Sequence, residues 1–569
     1  MTVTSSNRLP LSASIWNAET DPHDSDSTIG DALIRAAARW GDRTALVEGI
    51  LGDDARRWTF GELLEASTHV ARALLLRFSP GEHLAVWAAN SPEWIQLEFG
   101  AALAGLTLVT VNPAFRQAEL AYVLRQSRAV GIVVQPHFRS RDLLPIVTAA
   151  LDGTRVREVI SFGDWDEFVS DGRDFGIPFG PLPTVRPEDP AQIQYTSGTT
   201  GLPKGALLSH RGLATNGRRY ATVIGARPDD VWINPMPLFH TAGCGLVTLG
   251  ALQTGGCHVI PPSFDADLML DLFETQHGTV MLSVPTMLIR ILERQEDKPR
   301  DVSSWRLTTL GGAPVPLDLA LRARRVLGVE VGIGYGQTES SPYITHTESG
   351  DQQSQTLTTV GRPLPGIEVK IVDLNSRDVI DVGELGEVCT RSSCVMTEYF
   401  SDPASTAEAI DADGWLHTGD LGTIDASGFV TIRGRLKDMI IRGGENIFPR
   451  EIEDILYAHP AVSAVSVVGL PDPEWGEIVA AFIVAAEGMH LTEDDLATHC
   501  GAHLASFKIP RVWQFRTELP QTASGKIQKF VLRDGYLENL RTHTAHATEQ
   551  LSPSRTGRES SEYTSEFDQ

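Results

Sequence analysis

Apolar positions along this chain recur with two periods, and the two alternate. From about 29 to 185, stretches with helical spacing such as Asp31–Trp40 and Phe60–Phe78 are separated by short apolar runs, Leu84–Ala88, Leu106–Val111 and Val130–Val134, which read as strands. That rhythm predicts an α/β layer built on parallel strands. It continues through 206–340, where strands near Thr279–Ser283 and Arg306–Leu310 enter glycine-rich turns. From 360 to 432 the texture changes to β-branched pairs between turns, Glu368–Val372, Gly386–Thr390 and Gly428–Arg433, the pattern of a small β-rich subdomain. Beyond Lys437 a helix (Pro449–Ala458), strands (Val462–Val468, Ile478–Val484) and a second helix (Leu496–Leu504) predict a compact α+β unit. The expected class is therefore α/β. A large N-terminal domain of layered α/β subdomains plus the small β-rich subdomain spans 29–434, and a small α+β C-terminal domain spans 435–540. Residues 1–28 read as a flexible N-terminus, and 541–569, rich in Ser, Thr and Glu, as a disordered tail. No internal repeat is present.

Composition narrows the partners. At 569 residues the chain exceeds one ordinary core, and 42% hydrophobic with 21% charged residues makes it globular. A formal charge of −25 argues against a nucleic-acid backbone or an anionic membrane surface as partner. An anionic small molecule must then meet local positive groups. Lysine is scarce, seven against 41 arginines, and Lys204, Lys437 and Lys526 fall in glycine-containing turns. Cysteines 244, 257, 389, 394 and 500 show no framework spacing, and the neighbouring His258 and His499 complete no zinc-type set, so reduced, buried thiols are expected. The N-terminus lacks a basic region leading into an apolar stretch, and no run approaches a membrane span. A cytoplasmic protein with no integral membrane segment is the expectation.

The most informative local run is Tyr195–Gly205, YTSGTTGLPKG. Its glycines let backbone amides approach a ligand closely, while the hydroxyls of Thr196, Ser197, Thr199 and Thr200 can surround phosphate oxygens and Lys204 adds a point charge. Pro203, and Gly205 in place of a Ser or Thr after Lys204, separate it from a Walker A loop. Apolar Ile193 and Tyr195 precede it and Ala206–Leu208 follow it, so the loop lies between buried strands rather than in a linker.

Four further clusters occur in order: GGAP at 311–314, GYGQTE at 334–339, HTGD at 417–420 followed by GRLKDMIIRGGENIFP at 434–449, and PQTASGKIQK at 520–529. With the 195–205 loop they resemble the adenylate-forming enzymes, which include acyl-CoA synthetases, nonribosomal peptide adenylation domains and firefly luciferase. The resemblance covers roughly residues 30 to 540. It implies that ATP converts a carboxylate to an acyl-AMP with expulsion of pyrophosphate, and that a thiol then displaces AMP, with ATP, magnesium and coenzyme A required. It places Thr196, Ser197, Gly198, Thr199, Thr200, Gly201 and Lys204 around phosphate, and Gly312, Ala313 and Pro314 along the nucleotide and acyl pocket. It sets Tyr335 and Gly336 at adenine, Thr338 on phosphate, Glu339 at the magnesium, and Asp420 and Arg435 at ribose. Lys526, on the C-terminal domain, is implied to stabilise charge at the α-phosphate. Lys437 marks the implied hinge about which the C-terminal domain moves, exchanging Lys526 for a Gly443–Gly444 loop that forms the pantetheine channel.

The acid is read from MPLFHTAG at 236–243. His240 stands where acyl-CoA synthetases carry a His or aromatic residue near the carboxylate. Thr241 stands where amino-acid-activating domains commonly carry an aspartate, so acyl or aryl acids are favoured. Thr241, Gly245, Gly312 and Gly334 with His240 form the expected acyl pocket, and the stretch 112–129 resembles medium- and long-chain fatty acyl-CoA ligases. Coenzyme A is the expected acceptor because the chain ends soon after the C-terminal domain; acyl-AMP transfer to a carrier protein is the enzyme alternative. With Lys526, Glu339 and the loop hydroxyls all present, a non-catalytic nucleotide-binding relative is disfavoured. A monomer or homodimer is expected.

Overall fold

The computed structural model describes residues 10–18, 21, 26–173, 180–196, 203–348, 351, 353–486, 488–521 and 527–550. Two large sheets carry the first part of the chain. One orders seven strands as Glu398–Tyr399, Lys204–Ser209, Pro190–Thr196, Thr107–Val111, His83–Trp87, Gly131–Val134 and Glu158–Ser161, parallel from Pro190–Thr196 onward. The other orders nine, with Leu307–Leu310 parallel to Glu330–Gly336 and Tyr343–His346 antiparallel beyond it. Full burial of Thr107–Val111 and Val280–Ser283 explains why these strands carry apolar residues on both faces, with only Thr107, Thr110 and Ser283 polar.

The helices between them form where the sequence caps them. Thr28 accepts from the Asp31 amide and Thr59 from the Glu62 amide, with both acidic side chains returning the bond to the cap residue. The apolar faces they turn inward, Leu33, Ala36, Leu63, Val70 and Leu74 among them, share one core with Trp94 and Phe99 of the buried helix Pro92–Ala104. Burying each large side chain of that kind is worth about 1.5–3 kcal/mol.

A third sheet orders Ile15–Trp16, Glu368–Val372, Gly386–Arg391, Leu416–Ile424 and Val430–Arg435. This is the β-rich unit expected at 360–432, joined by an N-terminal strand. Residues 1–28 were expected to be flexible throughout, and the structure corrects this. Ile15 and Trp16 pair with Lys370 and Val369, Trp16 is buried against Gly428, and Asp21 is buried between Arg218 and Arg219. Polar composition hid one anchoring tryptophan and one buried carboxylate paired with two arginines.

A short turn, Leu436–Asp438, leads from this sheet into a fourth, ordered Glu445–Ile447, Ile440–Arg442, Gly476–Ala485 and Val462–Asp472, with Val512–Phe515 parallel to Gly476–Ala485. Helices Pro449–Tyr457 and Glu493–Gly501 cover it around Ile452, Leu456, Leu496 and Cys500. The last helix, Lys529–Gln550, reaches ten residues into the segment expected to be a disordered tail. No proline interrupts the chain there until Pro553.

Candidate active site

Strand ends from three sheets converge on one place. The Glu330–Gly336 strand delivers Tyr335, and the short turn after it delivers Glu339. From the seven-stranded sheet come Lys204 and, on the neighbouring edge strand, Tyr399, since Ala206 pairs with Tyr399. From the third sheet come Asp420 and Arg435, directly opposed across Leu416–Ile424 and Val430–Arg435.

Two hydrogen bonds tie the sheets together here. The Tyr335 hydroxyl donates to Asp420 Oδ2 at 2.8 Å, and the Tyr399 hydroxyl donates to Glu339 Oε1 at 2.7 Å. Arg435 Nε donates to Asp420 Oδ1 at 3.0 Å, so both oxygens of a carboxylate only 4% exposed are engaged by positive or donor groups. Burial first, and then the Asp420 charge, push the Tyr335 phenol well above its ordinary range. Tyr399 is raised likewise, by burial and then by Glu339. Both hydroxyls therefore keep their protons and act as donors. The Asp420 charge in turn holds the Arg435 guanidinium ionised.

Asp420 owes its position to an irregularity in its strand. Between the pairs Glu387–Leu421 and Cys389–His417, two steps on one strand face four on the other, so Thr418 to Asp420 bulge outward. The Glu387 carboxylate takes the Gly419 amide at 3.1 Å, and the Thr418 hydroxyl donates to the Val388 carbonyl at 2.6 Å while accepting from the Asp420 amide at 3.1 Å. The bulge is thus hydrogen-bonded at each residue and presents Asp420 rigidly.

The other expected site residues are arranged as follows. Thr196 and Lys204 face each other across the hairpin, and Lys204 Nζ lies 5.1 Å from the Tyr399 ring centre. Ser197, Gly198, Thr199, Thr200, Gly201 and Lys526 lie outside the described residues; Gln521 and Ile527 pair in an isolated antiparallel bridge. Gly312, Ala313 and Pro314 follow the parallel strand Leu307–Leu310, the strand end where open α/β sheets bind ligands. Thr338 is half-buried beside Glu339. Lys437 is exposed in the turn between the third and fourth sheets, and Gly443 and Gly444 are exposed between Ile440–Arg442 and Glu445–Ile447.

His240 is half-buried beside Phe239, at a ring separation of 4.6 Å, and enters a π-helical stretch, Ala242–Thr248. Such wide turns are frequent at functional sites. Thr241 is buried, and Gly245 backs onto Leu213 and Thr241. Gly334 is covered: a methyl there would fall 2.5 Å from the Tyr343 ring and 2.8 Å from His346. Motif reading missed Tyr399, Tyr343 and His346. Tyr399 lies 60 residues from Glu339 in a run with no motif, and only the sheet edge brings the two together.

The donor set suits a nucleotide. Lys204 and Arg435 supply local positive charge on a chain of net −25, and a single carboxylate, Glu339, suits a magnesium ion that otherwise takes phosphate oxygens and water. No described helix is long and apolar enough to cross a membrane.

Residues 33–400 match the AMP-binding enzyme family and 451–526 the AMP-binding enzyme C-terminal domain. Among curated relatives, the human mitochondrial medium-chain acyl-CoA ligase ACSF2 is 34% identical over 557 residues, covering 90% of this chain and 88% of the relative. A methyl-dioxo-octahydroindenyl-propanoyl:CoA ligase of Rhodococcus jostii (strain RHA1) is 34% identical over 525 residues, covering 89% and 98%. Among solved structures, ATP-bound MatB from Rhodopseudomonas palustris superposes with a TM-score of 0.81 at 28% identity, covering 89% of this chain and 99% of MatB.

Proposed function

The chain belongs to the AMP-binding enzyme family, among its AMP-forming acid–thiol ligases, and from that premise we propose that it activates a hydrophobic carboxylic acid and passes the acyl group to coenzyme A. A medium- or long-chain fatty acid is the substrate this reading favours. It is supported by the uncharged, buried Thr241 beside His240 and by the name of the human relative.

In the first half-reaction a carboxylate oxygen attacks the α-phosphorus, the bond to the bridging oxygen breaks, and pyrophosphate departs with the electron pair. In the second, the thiol sulfur attacks the acyl carbon, AMP leaves, and the thiol proton goes to solvent. Asp420 is the observation that carries the reading. Each of its oxygens accepts one hydrogen bond, from Tyr335 or Arg435, and keeps lone-pair capacity for a ribose hydroxyl. Tyr335 then lies against adenine, and Gly312, Ala313 and Pro314 along the acyl and nucleotide path. Thr196, Lys204 and the intervening loop grip the departing phosphates. Glu339, fixed by Tyr399, would hold magnesium, which supplies charge neutralisation on those phosphates. Lys526 is delivered to the α-phosphate by a C-terminal domain, residues 435–540, that pivots at Lys437 against the domain 29–434. The same pivot brings Gly443 and Gly444 to the pantetheine.

A panel of fatty, aryl and bicyclic acids, scored for AMP and CoA-thioester formation with carrier protein as competing acceptor, tests this. AMP with CoA thioester from the fatty acids is the expected outcome. Thioester with carrier protein alone would replace the acceptor, and no AMP from any acid would remove the reading.

A further inference from the structure

Under the bulge that presents Asp420, the third sheet gathers three metal-ligating side chains that the sequence scatters. Cys389 pairs with His417 on one neighbouring strand and with Lys370 on the other, and Glu387 precedes Cys389 by two positions. Nδ1 of His417 lies 2.9 Å from Glu387 Oε2 and 3.3 Å from Cys389 Sγ, and Nε2 faces Asp411 Oδ2 at 3.5 Å. Zinc bonds of about 2.0–2.3 Å at tetrahedral angles hold ligand atoms roughly 3.3–3.6 Å apart, so this spacing is close to preformed. Asp411 stands where a carboxylate orients a ligating histidine through its far nitrogen, and its own Oδ1 is fixed by the amides of Asp413 and Trp415.

Two cations face the cluster in this structure, Arg377 at the ligand atoms themselves and Lys370 Nζ 3.9 Å from Asp411 Oδ2. Nδ1 of His417 touches an acceptor, Glu387, and also a donor, Arg377 Nη1 at 2.7 Å; Arg377 also donates to Glu387 at 2.6 Å. With a proton, Nδ1 opposes the guanidinium; without one, it accepts from the same Nη1 that donates to Glu387, so Arg377 occupies the place a bound metal would take. A guanidinium on a side chain 57% exposed fills the spot and can swing out, which also supplies an entry path. Cys389 itself is fully buried beside Trp415 and Val372.

We propose that Glu387, Cys389 and His417 form a site for a thiophilic divalent transition metal of the zinc class, with Arg377 competing for the same ligand atoms. Thiolate plus imidazole selects such ions over magnesium or calcium. Binding forms bonds to sulfur, nitrogen and oxygen, releases the Cys389 thiol proton to solvent, and moves Arg377 into water. Because Glu387 also holds the Gly419 amide, the bound ion braces the bulge beneath Asp420.

The full chain titrated with Zn2+ alone against a chelator, and with Co2+ followed by absorbance, tests the site. The expected result is one ion per chain and a thiolate-to-cobalt charge-transfer band that Cys389→Ser abolishes. Cys389→Ser should weaken zinc by about 100-fold or more and Asp411→Asn by about 10–100-fold. Arg377→Ala should tighten it about tenfold or more, because it removes a competing cation. A wild-type chain without the band, or zinc affinity unchanged in Cys389→Ser, overturns the proposal. Should Cys389→Ser fail to fold, the exposed Arg377 decides: affinity unchanged or weakened in Arg377→Ala also overturns it.

Discussion

Gly311, Gly334 and Gly336 are packed against the strand Tyr343–His346 and the residue before it, whereas Gly444 stands in open solvent and its neighbour Gly443 meets only the Trp475 ring, 2.9 Å from a methyl built there. A methyl at Gly311 would meet the Tyr343 hydroxyl at 2.5 Å, one at Gly334 the Tyr343 ring at 2.5 Å, and one at Gly336 the Pro342 carbonyl oxygen at 1.9 Å. Asn216 clamps the opposing strand from behind, accepting from the Tyr343 amide at 3.0 Å and donating to its carbonyl at 2.8 Å. Gly443 and Gly444 are glycines for another reason. Their φ angles are +58° and +90°, and nothing lies within 4 Å of a methyl built on Gly444. One set builds a frame that cannot yield around Tyr335 and Asp420, and the other leaves a turn free to approach something.

The largest effect should come from striking the frame where backbone meets backbone. Gly336→Ala must displace the Pro342 carbonyl, and a cost above about 4 kcal/mol is expected, read as loss of folded protein in denaturant titration. A stable Gly336→Ala enzyme would show that this frame moves and would dissolve the contrast. Next is the residue that the proposed pivot at Lys437 would deliver. Lys526→Ala is expected to lower ATP–pyrophosphate exchange by about 10²–10³-fold. Thioester formation from supplied acyl-AMP should remain. Equal losses in the two assays would mean that Lys526 belongs to a fixed site.

Acid sharpens the contrast further. His346 lies inside the frame, 1% exposed, and burial lowers its ring to about 4. The unfolded chain takes up that proton near pH 6.5 while the folded chain does not. Stability is therefore unaffected above pH 6.5, falls by about 1.4 kcal/mol per unit as pH drops toward 4, and levels off below. The total is about 3 kcal/mol from this group alone, and His346→Phe, if it folds, should flatten that limb by the same amount. An unchanged acid limb would mean that His346 is protonated in the folded frame.

How much of this was legible in the chain differs between the two regions. The strands Glu368–Val372 and Leu307–Leu310 and the helix Ile29–Trp40 follow from local pattern, because period and turn chemistry are local properties, while the candidates Asp420, Arg435 and Tyr335 follow from the motif resemblance. The partners that fix the site do not. Tyr399 meets Glu339, Asn216 clamps Tyr343 and Glu387 caps the bulge only through strand order, and each pair is separated by between 32 and 127 residues. Trp16 was illegible for the same reason: a two-residue strand in a polar segment carries no period.

The smallest expected effect tests the open turn. Any side chain at Gly444 pays for φ +90°, so Gly444→Ala measures that backbone strain, of order 1–3 kcal/mol, without adding bulk. Gly444→Trp adds bulk to the same strain. If the turn lines the path of pantetheine, tryptophan should cut thioester formation about tenfold more than alanine does, while pyrophosphate exchange should be equal in the two variants, since a tenfold step is about 1.4 kcal/mol of lost thiol access. Exchange falling together with thioester formation would place Gly444 in the adenylating arrangement. Equal thioester rates for alanine and tryptophan would leave the open space around it without a visitor, and the two sets of glycines would then differ only in how tightly they are packed.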